Sequence, residues 1–211
     1  AFDAMGEAVN DLRRSAAPER IHIAASPAVA QLWVSPRLPQ LRRSFPGLEL
    51  SLTAMEQPPN MDREPYDIAM FMLPHGQGRE VATDQIRPAC APEMAAQLQD
   101  PKDLLHVPCL TDSAWLDDWN LWQSAQNIAP LGKLRGPSYS LYSLAVQEAV
   151  NGGGVVMGHE ALIAALVAQG KLVFPFETSV VTGLALTLNV RQPVAHQLAD
   201  LIAALSGKGR L

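Results

Sequence analysis

The run YDIAMFML at residues 66–73 does most to narrow what this chain can fold into. Only Asp67 interrupts its apolar character. A strand with one wet face alternates apolar and polar residues, whereas a near-continuous apolar run marks a strand covered on both faces. Parallel sheets are built that way, and they need crossover helices. The preceding sequence supplies one. IHIAAS (21–26) alternates as a strand and ends in Ser26-Pro27, a capping residue followed by proline at the first helical position. In the helical stretch that follows, Leu32, Leu38, Leu41 and Phe45 form a loose stripe, bent by Pro36 and Pro39. Pro46-Gly47 turns the chain into a second strand, LELSLTA (48–54).

The alternation continues to the end of the chain, so the fold class is α/β. Further strands are expected at 86–91, 107–110, 138–141, 155–158, 172–176 and 184–190. Helices are expected from Pro92, over 115–122, 142–150 and 159–170, and from Pro193 to 205, with a single turn at 101–105. Residues 2–14 also read as a helix, since Phe2, Met5, Val9 and Leu12 recur at three- and four-residue steps. No capping residue precedes it, which is the look of a helix cut in the middle. The glycine-rich tail is expected to fray.

Composition excludes several functions. Sixteen basic against 21 acidic residues give a net charge of −5, and this argues against direct grip on nucleic acid. No apolar run approaches the ~18 residues of a membrane helix. The first residues lack the basic start and apolar core of a leader, so the expected location is cytoplasmic. Cys90 and Cys109 have no CxxC spacing and read as reduced, packed thiols.

Few motifs suggest catalysis. Gly152-Gly153-Gly154 follows a helix and precedes a strand, the reverse of a phosphate loop, and reads as a helix stop. His159-Glu160 has no partner at metal-ligand spacing, and neither metal nor cofactor is expected. Ser26 has no nucleophile-elbow context and reads as a cap that can hold an anion. Asp117-Asp118 are expected on a helix surface beside Trp115, Trp119 and Trp122, which form a packed ridge or, less favoured, a ligand-stacking face. The chain is therefore not read as an enzyme. A parallel sheet instead offers a crevice at its strand ends. Here those ends deliver Ser26, Pro27 and the N–H groups of 28–29, with Thr53, Ala54, Phe71, Met72, Ser140, Leu141 and Tyr142: a mostly apolar wall with few polar points.

Four segments resemble the effector-binding region of LysR-type transcriptional regulators: FDAMGEAVNDLRR; IHIAASPAVAQLWVSPRLPQLRRSFPGLELSLTA; YDIAMFML with RPACAPEMA; and RGPSYSLYSLAVQEAVNGGGVVMGHEALIAALVAQGKLVFPF. The last is the most specific, and together they cover nearly all of 1–206. The subgroup looks like the one that includes regulators of glycine cleavage and of β-lactamase genes. The resemblance implies two Rossmann-like subdomains in the style of type 2 periplasmic binding proteins, with an N-terminal partial linker helix. The expected division is 1–17 as linker helix and hinge, 18–86 with 190–211 as subdomain I, and 87–189 as subdomain II, with crossings near Arg87 and Asn189. It implies a small effector in the cleft, with Gly158 added to the strand-end residues above. It implies a homodimer, paired antiparallel through Ala30, Val34, Leu38, Leu41 and Arg42 on one helix and Leu144, Gln147 and Glu148 on another. It further implies a tetramer in the full-length protein, DNA contact only through a separate N-terminal winged helix-turn-helix, and RNA polymerase as a further partner class. No membrane partner is implied. Phe71 stands where many members carry Arg, and Leu141 where many carry Asp. The expected effector is therefore neutral or aromatic; the bland alternative is that both side chains simply fill the cleft. The competing function is an exported solute-binding protein of a transport system.

Overall fold

The computed structural model describes residues 20–126, 131–132, 134–191 and 198–207. The expected helix at 2–14, the hinge to 17, the start of the last helix at Pro193 and the tail from 208 lie outside the described residues.

β1 (Arg20–Ala25) buries Ile21, Ile23, Ala24 and Ala25. The helical stretch α1 (27–44) is not one uniform helix. It begins as α-helix over Pro27–Val29, widens to a π-turn over Ala30–Val34, tightens to 3-10 over Ser35–Arg37 and resumes as α-helix over Leu38–Ser44. Pro36 and Pro39 cause this, because neither has an N–H to give the carbonyl four residues back. β2 (Glu49–Ala54) and β3 (Ile68–Pro74) follow, and Ile68, Ala69, Met70 and Phe71 are all buried, as the apolar run requires.

β4 (Arg79–Ala89) leads to α2 (Pro92–Ala95), a 3-10 turn (Pro101–His106) and β5 (Cys109–Asp112). Then come α3 (Asp118–Ala125), β6 (Ser138–Tyr139), α4 (Tyr142–Val150), β7 (Val155–His159), α5 (Glu160–Ala168), β8 (Val180–Val190) and α6 (Ala199–Leu205). The strands form one sheet in the order β2-β1-β3-β8-β4-β7-β5-β6. β1 is parallel to β2 and β3, and β5 is parallel to β6 and β7. Between these two parallel groups, β4 and β8 pair antiparallel with each other, β8 with β3, and β4 with β7.

Some expectations need correction. β4 starts at Arg79 and β8 at Val180, earlier than the expected 86 and 184, because their first halves are polar or exposed and the ladder between them is bulged. The expected strand at 172–176 reduces to one bridge, Val173 to Cys90, since Pro175 cannot donate to a ladder. The helix expected over 115–122 begins only at Asp118, so Trp115 falls in the loop before it. Trp119 and Trp122 do pack in a core, their indole N–H groups donating to the carbonyls of Leu110 (3.0 Å) and Thr178 (2.9 Å).

Of the residues expected at a dimer surface, Ala30, Val34 and Leu41 are buried in the chain's own core. Leu38 is half-buried, while Arg42, Leu144 and Gln147 are exposed and Glu148 is half-buried. Leu41→Ala should therefore destabilise the fold by about 2–5 kcal/mol, as full core truncations do. Arg42→Ala next to it should cost under about 0.5 kcal/mol. Urea unfolding of the two variants checks this.

Candidate functional site

The ends of β1, β2, β3, β5 and β6 open on a cavity of about 350 Å³. Its size falls in the range of small-molecule pockets, ~300–1,000 Å³. One side is built by Ser26, Pro27 and Ala28 at the start of α1 and by Phe71 and Met72 of β3; the other by Ser140, Leu141 and Tyr142 at the start of α4. Those eight are among the residues expected at the effector site. Three others lie outside the lining. Thr53 faces His22, whose Nε2 is 2.8 Å from Thr53 Oγ1, and Ala54 ends β2 on the surface. Gly158 packs inside: a Cβ there would lie 2.5 Å from Ile163 Cδ1 and 3.0 Å from the Arg87 carbonyl.

Sequence reasoning missed Leu73, the loop Glu56, Gln57 and Pro58 after β2, and Ser113 and Ala114 in the loop after β5; Trp115 of that loop was read there only through the less favoured ligand-stacking alternative. The rule that points to strand ends would have found both loops if carried one turn further along the chain. Glu56 is the one formally charged residue in the lining, and it is acidic. Ser26 offers a buried hydroxyl with no hydrogen-bond partner among the described residues; it stands at the N-cap of α1, but its side chain makes no capping bond. Phe71 is buried among Ala24, Ala69 and their neighbours yet still contributes to the wall, so it shapes the cavity without filling it.

Arg87, the nearest sequence alternative for holding an anion, is engaged elsewhere. Its guanidinium makes two hydrogen bonds to Glu160, of 3.1 and 3.2 Å, and stacks over the Phe174 ring. Cys90 and Cys109 are buried free thiols, and burial pushes them up to about 11 and about 12. Neither is poised as a nucleophile. Among the described residues, no cluster of three or more His, Cys, Asp or Glu side chains is placed to hold a metal.

Behind the aromatic wall lies a charged cluster that the sequence did not reveal. His159 is fully buried. Its Nδ1 lies 2.9–3.0 Å from both carboxylate oxygens of Asp84, which is also fully buried. Its Nε2 lies 2.9 Å from Asp118 Oδ2, an ion pair whose angle falls outside hydrogen-bond geometry. Asp118 thus turns inward, not out to the helix surface. Trp115 packs against the imidazole, its ring tilted by 42° at 3.9 Å between centroids. The Tyr142 hydroxyl accepts from the His159 backbone N–H (2.9 Å) and donates to the Met157 carbonyl (3.1 Å), so it is not free for a ligand. Asp112 accepts from the N–H groups of Ala114 and Trp115 and so fixes the loop of the cavity wall; burial is the main cause that raises its pKa.

Burial opposes the charge on His159, but the carboxylates of Asp118 and Asp84 outweigh it and hold the imidazole at about 9, above its ordinary 6.5. A group raised in the folded state stabilises fully below its unfolded pKa and loses that contribution as pH climbs through the folded one. Stability should therefore fall between pH 6.5 and about 9, by roughly 3 kcal/mol at most. His159→Gln should flatten this slope. Urea midpoints across that range check it.

The chain matches the LysR substrate binding domain family over residues 14–208. It is 28% identical to the HTH-type transcriptional regulator PerR of Escherichia coli K12 over 77% of this chain and 55% of that protein. It is 23% identical to the E. coli K12 glycine cleavage system transcriptional activator over 86% of this chain and 61% of that protein. The chain thus spans somewhat over half the length of these relatives. Among solved structures it is similar to the AmpR effector-binding domain from Citrobacter freundii, with TM-score 0.72, 20% identity and coverage of 90% of this chain and 98% of that one. It is also similar to the effector domain of AmpR from Pseudomonas aeruginosa, with TM-score 0.70, 25% identity and coverage of 90% and 95%. Those domains have the two-lobed fold of periplasmic binding proteins, and the sheet order here fits it. These relatives are transcriptional regulators, not enzymes. The chain belongs to the LysR substrate-binding domain family, the effector-binding part of LysR-type transcriptional regulators.

Proposed function

We propose that the cavity between α1 and α4 binds a small neutral or aromatic effector, and that its occupancy sets how the two lobes meet. The lining carries this reading. It combines Phe71, Trp115 and Tyr142 with a few hydroxyl groups, and its one charge, Glu56, repels anions. Arg87, paired to Glu160, offers an anion no free partner. In the full-length regulator, closure of the lobes would change the geometry of a separate DNA-binding domain and so control transcription in the cytoplasm.

The lobes are proposed as 18–86 with 190–211, and 87–189. Pairing supports the first crossing, since β4 takes up β7 from Ile86 onward. β8 pairs with β4 from Val180 and with β3 up to Val190, which supports a return crossing on this strand. The domain is proposed to dimerise through the outer faces of α1 and α4, with Leu38 and Arg42 meeting Leu144, Gln147 and Glu148 of a second copy. Full-length chains would assemble as tetramers. Leu144 and Gln147, one turn apart on α4, are both exposed and so free to meet a second copy.

Calorimetry with a panel of neutral aromatics (indole, anisole, phenol) and with succinate tests the effector class. At least one aromatic should bind, and Trp115→Ala should weaken it about tenfold or more, ~1.4 kcal/mol. Arg87→Ala should leave it unchanged. Saturable succinate binding that Arg87→Ala abolishes would overturn the reading. For the dimer, Leu144→Glu should yield monomers in sedimentation equilibrium at concentrations where the parent is dimeric, with unfolding stability changed by under about 0.5 kcal/mol.

A further inference from the structure

We infer that His159 is the positioning residue of the cavity: clasped between Asp84 and Asp118, its ring fixes Trp115 and Tyr142 on the cavity wall and ties them to the two long strands that join the lobes. The inference rests on reading the cavity as the effector site.

The geometry is continuous from wall to strand. Trp115 lines the cavity and lies against the imidazole face, 3.9 Å between centroids at 42°. Tyr142 lines it too and meets the imidazole edge-on, 5.1 Å at 89°, with its hydroxyl held by the His159 backbone N–H. On the far side, Asp84 belongs to β4 and accepts not only from Nδ1 but from Thr182 Oγ1 of β8, at 2.7 Å. One imidazole therefore contacts a carboxylate that bonds both crossover strands. The titratable or charged groups that face it are Asp84 from β4, Asp112 from β5, Asp118 from α3 and Tyr142 from α4.

A purely structural role would not need charge. Well-packed apolar residues of similar volume are often as stabilising as a buried ion pair, which makes such a pair weak evidence for stability alone. This one also sits where the bulged ladder gives β4 and β8 their irregular register, between Glu80 and Gln85. A ligand that shifts Trp115 uncovers the imidazole face and disturbs its carboxylates. The hydrogen bond from Thr182 then passes the displacement into β8.

A covalent occupant tests this without a known effector. Ser140 is an exposed lining residue, and the two native thiols are buried, so Ser140→Cys can be labelled selectively with N-phenylmaleimide. Trp115 emission, isolated by subtracting a Trp115→Phe chain, reports the wall. Hydrogen exchange over 180–184 reports β8. Labelling should change Trp115 emission and alter exchange in that segment at least about fivefold, within the range of ordinary couplings. In His159→Gln the exchange response should vanish. In Thr182→Val it should also vanish, while Trp115 emission in the unlabelled chain still rises with pH through about 9 as the imidazolium quencher loses its proton. That pH profile should be absent in His159→Gln. If label leaves Trp115 emission unchanged, the site reading falls together with the inference. If emission changes but 180–184 does not respond, or responds equally in both variants, the inference falls and the site reading stands.

Discussion

The antiparallel pairing of β4 with β8 is the constraint on which the rest of the molecule depends. Each strand has 11 residues, about twice the usual length, and at ~3.4 Å per residue each reaches some 37 Å. That is enough to serve both lobes. β8 carries the β2-β1-β3 group on its outer edge, and β4 carries the β7-β5-β6 group on its own. Neither group can leave without breaking a ladder. The regular part of β4, residues 86–89, pairs with β7, while the bulges fall between Glu80 and Gln85. Bulges bend a strand and loosen its register locally. Under the proposed function, this joint is where the lobes would tilt while the sheet stays whole.

The cavity follows from that arrangement. Parallel groups on both sides turn strand ends and helix starts toward one crevice, and what those ends carry decides its chemistry. Here they bring serine hydroxyls, aromatic rings and one acidic side chain. The guanidinium that could have held an anion is folded onto Glu160 and Phe174. The charges of this region are instead sealed behind the wall, around His159. Removing one partner from such a cluster would strand a charge away from water, which makes the three side chains interdependent.

How much of this was legible in the sequence depended on how local its cause was. The apolar run around Met70 and the Ser26-Pro27 start of α1 announced themselves, because burial on two faces and proline at the first helical position write directly into neighbouring residues. Eight lining residues were readable for the same reason, since each sits at a strand end or helix start. The first halves of β4 and β8 were not, because strands that pair through bulges and face solvent lose their alternation. The His159 cluster was invisible because its members stand 75 residues apart at Asp84 and 41 at Asp118, and only the crossing of β4 brings them together. Asp118 looked like a surface residue because its neighbour Asp117 is one. Trp115 looked like the first rung of a helical ridge, but the helix begins three residues later.

The most direct measurement of the central claim is an NMR titration of the labelled chain with neutral aromatics and with succinate, read at the four indole N–H signals and the backbone amides. An effector seated in the cavity moves the Trp115 indole together with the amides of Ala28, Met72 and Leu141, and leaves the indole of Trp33, in the distant core beside α6, in place. Shifts that gather on α1 and α4 surfaces away from the cavity, or that appear only with succinate and centre on Arg87, would contradict it.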